Sequence, residues 1–85
     1  MNKYTINFKK SVIKELHKLP NKEVSRITKL IATLSTDPRP SGCKKLKGYP
    51  NLWSVRSGNY RVIYSIDDQI LIVDILEIVD RIDAY

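Results

Sequence analysis

The chain has 85 residues, a length that allows one domain, residues 1–85, with a small core. Its 42% hydrophobic and 28% charged residues are typical of a globular protein and argue against disorder. No apolar run approaches the roughly 20 residues of a membrane span, and the N-terminus lacks the apolar region of a signal peptide, so we expect a cytoplasmic protein that does not contact membranes.

Charge is unevenly distributed along the chain, whose formal net charge is +6. Residues 38–66 contain no acidic residue and six basic ones: Arg39, Lys44, Lys45, Lys47, Arg56 and Arg61. Residues 67–85 reverse this balance, with six acidic residues and the single base Arg81. The sequence therefore predicts an electropositive patch that suits a polyanionic partner.

The N-terminal half predicts one strand and two helices. The alternation in Tyr4–Phe8 indicates a strand. A first helix should begin with Ser11 as its N-cap and stop at Pro20. A second should begin with Asn21 as its cap and run to about residue 35. Its apolar stripe is Val24, Ile27, Leu30, Ile31 and Leu34. Together the helices predict an αα-hairpin with facing apolar stripes.

The C-terminal half predicts an antiparallel meander of short strands after a Pro- and Gly-containing loop at residues 36–42. Strand-like segments occupy residues 43–47, 52–56, 60–66 and 69–79. The last segment is nearly continuous in apolar residues, which favours a central strand. The predicted fold class is α+β with the order β-α-α-β-β-β.

Several kinds of chemistry are disfavoured by what the chain contains. His17 and Cys43 are the single histidine and cysteine, too few for a structural zinc site and a poor basis for a nucleophilic triad. The three glycines form no phosphate-binding loop. We therefore expect neither a metal nor a cofactor.

Arginines, lysines and aromatic residues remain as the candidate site. Strand alternation places Arg56 with Ser54 on one face, and separates Arg61 and Ile63 from Tyr60. Guanidinium groups bind phosphate oxygens and aromatic rings stack on unpaired bases, which favours single-stranded RNA over duplex DNA.

The run KLKGYPNLWSVRSGNYRVIYSIDD resembles the RelE/ParE superfamily of bacterial and archaeal toxins. Lys45–Gly48, Leu52–Arg56, Gly58, Tyr60–Tyr64 and the ending Arg81–Tyr85 follow the order of its motifs. The resemblance covers essentially the whole chain and implies the RelE-like fold. It also implies a type II toxin neutralised by a cognate antitoxin, with operator DNA bound only through that antitoxin.

In the RelE branch, the resemblance implies a metal-independent endoribonuclease that cuts mRNA in the ribosomal A site by attack of the 2'-OH on the adjacent phosphate. Arg61 and Arg81 match arginines that hold the scissile phosphate or protonate the leaving group. Arg56 occupies a basic strand position, and Tyr85 matches a C-terminal tyrosine that stacks on a base or assists proton transfer. The implied RNA-binding residues are Lys45, Lys47 and Tyr60.

Two departures from the RelE pattern keep other functions open. Asp80 stands where many relatives have histidine, and Ser54 stands where some ribonucleases have lysine. A ParE-like inhibitor of DNA gyrase would share the fold without cleaving phosphates. A degenerate toxin that acts only as an antitoxin-binding module would also tolerate both departures.

Overall fold

The computed structural model describes residues 3–80 of the chain. In chain order, the elements are β1 (Thr5–Phe8), α1 (Lys10–Lys18), α2 (Asn21–Thr33), β2 (Lys44–Lys45), β3 (Trp53–Ser57), β4 (Tyr60–Asp67) and β5 (Ile72–Asp80). The α+β prediction is confirmed. All four strand-like segments predicted after the helices form strands, one more than the predicted order β-α-α-β-β-β counts.

Both helices begin earlier than the sequence predicted, α1 by two residues and α2 by one. Lys9 and Pro20 are the N-caps, each with extended backbone and no side-chain cap, so Ser11 and Asn21 lie inside the helices. Glu23 lies in the first turn of α2. No helix in the described part of the chain is long and apolar enough to cross a membrane.

The five strands form one mixed sheet in the order β1-β5-β4-β3-β2. The antiparallel meander from β2 to β5 was predicted, and β5 is central as expected, between β1 and β4. Strand β1 pairs with β5 in the parallel direction, with Ile6 opposite Val73. This parallel pair follows from the two helices, which carry the chain over the sheet before it returns.

The helices cover one face of the sheet, where α1 packs on β5 and α2 on β3. The apolar stripes therefore meet the sheet, in one core that includes Val12, Ile27, Ile31 and Leu34 from the helical half of the chain. The strands contribute Val55, Val62, Tyr64, Ile66, Val73, Ile75 and Ile78. This leaves the other face of β3 and β4 available for polar side chains.

A bulge in β5 explains its continuous apolar sequence. Ile63 pairs with Glu77 and Tyr64 pairs with Ile75, so Leu76 is an extra residue. The extra residue keeps Ile75 and Ile78 buried although they are three positions apart.

The strand boundaries also differ from the sequence prediction at two places. The segment 43–47 narrows to the two residues of β2, and the segment 69–79 starts as a turn, with β5 beginning at Ile72. Leu71 is the last residue of that turn, and its φ of 56° is not an extended conformation, so β5 cannot begin before Ile72.

Candidate functional site

Two arginines face each other across the β3–β4 ladder. Arg56 pairs directly with Arg61, and both line one cleft on the sheet face opposite the helices. The hairpin turn between them has only Gly58 and Asn59 outside the paired residues. Gly58 has a φ of 59°, and a Cβ there would lie 3.4 Å from the Glu23 side chain, so glycine suits this tight turn.

The cationic cleft has a volume of about 280 Å³. It is lined by Ser41, Gly42, Lys44, Ser54, Val55, Arg56 and Arg61. None of the described residues that line it is acidic. Like charges directly opposite each other repel, and an anion between them turns that repulsion into attraction. The described lining of the cleft therefore has the charge that suits an anionic ligand.

A long loop forms one wall of the cationic cleft and is attached to the rest of the fold at two points. The buried Tyr64 hydroxyl donates a hydrogen bond to the Pro38 carbonyl at 2.8 Å. Burial raises the pKa of this phenol above its ordinary value, so Tyr64 stays a donor. Beyond Pro38 the loop continues to Ser41 and Gly42, which line the cleft.

The second attachment joins Arg39 to Asp68 in the β4–β5 turn. The Arg39 guanidinium donates to both carboxylate oxygens, at 2.9 and 3.3 Å, and the Tyr4 hydroxyl donates to the same carboxylate at 2.7 Å. Hydrogen bonds from Arg39, and then from Tyr4, hold the pKa of Asp68 below its usual value. The bond to Asp68 in turn raises the pKa of Tyr4.

The residues proposed for RNA binding lie away from the cationic cleft. The ammonium of Lys45 is 5.8 Å from the centroid of the Trp53 ring, which Arg39 also approaches, at 5.0 Å. Lys45 and Lys47 line a separate, open groove beside Tyr49. Tyr60 packs against the apolar core and alternates with Arg61, so it does not share the cleft.

Arg81 and Tyr85 lie outside the described residues. Asp80 is the last residue of β5 and pairs with Tyr60. The structure therefore brings together Arg56 and Arg61 from the predicted catalytic set.

Lys44 is a charged residue of the cleft that the predicted site did not include. It pairs with Ser54, which is 2% exposed, on the ladder next to Arg56. The local signal was its place in the basic run of residues 44–47, but β2 has only two residues and shows no alternation that would separate Lys44 from Lys45.

Comparison with known proteins finds relatives over almost the whole chain. The family model for the ParE toxin of type II toxin-antitoxin system, parDE, matches residues 6–85. The protein named RelE1 from Methanocaldococcus jannaschii is 37% identical over 76 residues, which cover 84% of each chain. The toxin RelG of Mycobacterium tuberculosis is 32% identical over 83 residues, covering 96% of this chain and 95% of RelG.

The fold is likewise similar to a solved toxin structure. A chain of the archaeal RelE-RelB complex from Pyrococcus horikoshii matches with a TM-score of 0.84 and 31% identity, covering 93% of this chain and 96% of that one. Fold, sequence and family model agree, and the chain belongs to the ParE toxin family of type II toxin-antitoxin systems, within the RelE/ParE superfamily.

Proposed function

We propose that this toxin is a RelE-like, ribosome-dependent endoribonuclease that cleaves mRNA without a metal ion. The observation that carries the proposal is the pair Arg56 and Arg61, directly opposite each other in a cleft whose described lining has no acidic residue. Guanidinium groups bind phosphate oxygens in a bidentate manner, so such a pair suits a phosphodiester.

The reaction begins when the 2'-OH of one nucleotide loses its proton to a base and its oxygen attacks the adjacent phosphorus. The bond from phosphorus to the 5'-oxygen then breaks, and that oxygen takes up a proton. The products are a 2',3'-cyclic phosphate and a 5'-hydroxyl end. The intermediate phosphorane carries two negative charges on its equatorial oxygens, which cations in fixed positions stabilise.

The chain offers residues for each of these roles. Arg56 and Arg61 bind the scissile phosphate and stabilise the phosphorane. Arg81 shares the charge or protonates the leaving oxygen, and Tyr85 stacks on a base or assists proton transfer. A phenol near pKa 10 becomes a useful base at neutral pH only when neighbouring cations lower its pKa.

RNA contacts outside the cationic cleft are assigned to Lys45 and Lys47. Both line an open groove beside the exposed Tyr49, where the phosphate backbone of RNA has access. Tyr60 was also a candidate, but its packing against the core suits a supporting role for β4.

The partner we propose is a cognate antitoxin, since the matching Pyrococcus horikoshii structure is a RelE-RelB complex. That antitoxin would provide the contact to operator DNA. The other proposed partners are mRNA and the A site of the ribosome, so the protein would act in the cytoplasm.

Gyrase inhibition is the second candidate, because the matching family model is described as a ParE toxin. Ser54 in the cleft, where some ribonucleases of the superfamily have lysine, is consistent with it. The same residue fits the third candidate, a degenerate toxin that binds its antitoxin and has no target of its own.

The deciding experiment is induction of this chain alone in a bacterial host, with primer extension on a reporter mRNA and Arg81→Ala beside it. Growth arrest with cuts inside translated codons, absent from the Arg81→Ala strain, is the expected result. Arrest with intact mRNA and double-strand DNA breaks would favour gyrase inhibition. Normal growth would favour the degenerate toxin.

A further inference from the structure

Two neighbouring lysines of β2 occupy different surroundings. Lys44 pairs with Ser54 and lines the cationic cleft, whereas Lys45 pairs with Trp53 and lies 5.8 Å from its ring centroid. Successive residues of a strand point to opposite faces, which accounts for the difference. One lysine therefore belongs to the cleft and the other to the surface around Trp53.

Ser54 gives the Lys44 side chain room to reach the arginines. Directly opposite residues in an antiparallel pair have Cβ atoms about 5 Å apart, and the serine side chain is small and buried. The lysine stem has four carbons and carries its ammonium well beyond a serine hydroxyl. Since Arg56 follows Ser54 by two residues on the same face of β3, the ammonium can approach the phosphate that the arginines bind.

We propose that Lys44 is a third phosphate-binding residue of the cationic cleft and contacts an equatorial oxygen of the scissile phosphate. This inference rests on the proposed function, which supplies the RNA substrate. An ammonium beside two guanidinium groups matches the charge of the phosphorane, which rises to two negative charges as the 2'-oxygen attacks. Lys44 thus supplies, from β2, a positive charge next to the position that Ser54 leaves neutral.

The test compares Lys44→Ala with Lys29→Ala, because the two variants lose the same charge, one from the cationic cleft and one from the exposed surface of α2 on the other side of the sheet. The first measurement is binding of the purified chain to a fluorescently labelled 2'-O-methyl trinucleotide, which cannot be cleaved by 2'-OH attack. We expect Lys44→Ala to weaken binding about 10-fold or more, as loss of a charged hydrogen bond does, and Lys29→Ala to weaken it less than about 3-fold. Equal weakening by the two variants would mean that Lys44 contributes only through the net charge of the protein, and would overturn the assignment.

The second measurement uses a variant in which the positive charge is transferred from β2 to the paired position on β3. In Lys44→Ala/Ser54→Lys, the ammonium returns to the same pair from β3, and we expect binding to recover at least partly. Thermal unfolding is measured for each variant because Ser54 is buried. If the double variant does not fold, Lys44→Arg takes its place, since it keeps a cation at position 44 and should bind the trinucleotide within about 3-fold of the wild type.

Ribosomal cleavage separates this inference from the proposed function. Wild-type cleavage that Lys44→Ala leaves unchanged would remove Lys44 from the site and keep the ribonuclease. Selective loss of trinucleotide binding in Lys44→Ala, with no cleavage by the wild type, would keep Lys44 as a phosphate ligand and remove the ribonuclease. A wild-type chain that binds the trinucleotide no better than Lys44→Ala overturns the role of Lys44.

Discussion

Neighbouring pairs of one β-ladder perform opposite tasks in this protein. Val55 pairs with Val62, and both are buried under the helices at 6% and 0% exposure. The next pair, Arg56 with Arg61, lies on the other face and lines the cationic cleft. A shift of one residue along the strand therefore separates a pair that stabilises the fold from a pair of positive charges that line the cleft.

The comparison shows how an 85-residue toxin can carry a concentrated positive site. The hydrophobic face supplies the free energy of folding, and the arginines on the opposite face are positioned by the same backbone hydrogen bonds. Because Arg56 is exposed, its charge adds little to folding and is available to a ligand.

The largest effect should come from Arg56→Ala, which removes one guanidinium from the cationic cleft. We expect ribosome-dependent cleavage to fall about 100-fold or more, the size of effect produced by losing one donor to a developing oxyanion. The free energy of unfolding should change by no more than about 0.5 kcal/mol, because the side chain is exposed. Single-turnover cleavage and urea unfolding measure the two quantities.

Val55→Ala is the matched control, one residue away on the buried face. It should lower the free energy of unfolding by about 2 kcal/mol through lost burial and the remaining cavity. Its cleavage rate should stay near that of the wild type wherever the protein is folded. A loss of activity in folded Val55→Ala equal to that in Arg56→Ala would contradict the separation of the two faces.

The sequence placed Arg56 and Arg61 among the candidate site residues, but only the structure shows that they pair directly across β3 and β4. The sequence could not assign the two lysines of β2, since a two-residue strand has no visible period and the resemblance pointed to Lys45 rather than Lys44. The predicted helix caps were also wrong. Ser11 and Asn21 have good capping side chains, yet the helices begin after Lys9 and Pro20 without any side-chain cap.

Contacts between distant parts of the chain also escaped the sequence prediction. The bond from Tyr64 to Pro38 joins residues 26 positions apart, and that from Arg39 to Asp68 joins residues 29 apart. No local pattern specifies such pairs, because they depend on how the loop crosses the finished sheet. These two attachments place Ser41 and Gly42 at the cleft, so they are the next features to test.

Tyr64→Phe should have an intermediate effect, on both the stability of the fold and the cleavage rate, because buried Tyr64 holds the loop that lines the cleft. Loss of the hydroxyl leaves the Pro38 carbonyl without its donor in a buried place, which we expect to lower the free energy of unfolding by about 1 to 1.5 kcal/mol. The loop that carries Ser41 and Gly42 would be held less firmly, and cleavage should fall several-fold. Thermal unfolding and single-turnover cleavage measure these changes. Tyr49→Phe, at a tyrosine with 57% exposure, should change neither, and an equal effect there would argue against the loop attachment.

The smallest effect should come from Asp68→Asn, on the exposed attachment of the same loop. The folded pKa of Asp68 lies below its unfolded value of about 3.9, because Arg39 and Tyr4 donate hydrogen bonds to its charged form. Its contribution to stability is therefore present above that unfolded pKa and is lost as the pH falls through the folded pKa. Melting temperatures of wild type and Asp68→Asn, measured from pH 7 to pH 2, should differ by a small constant amount near neutrality and converge in acid. A difference that persists unchanged to pH 2 would mean that the carboxylate charge is not what attaches the loop, and the hydrogen bond from Tyr64 would then be the main restraint on this wall of the cleft.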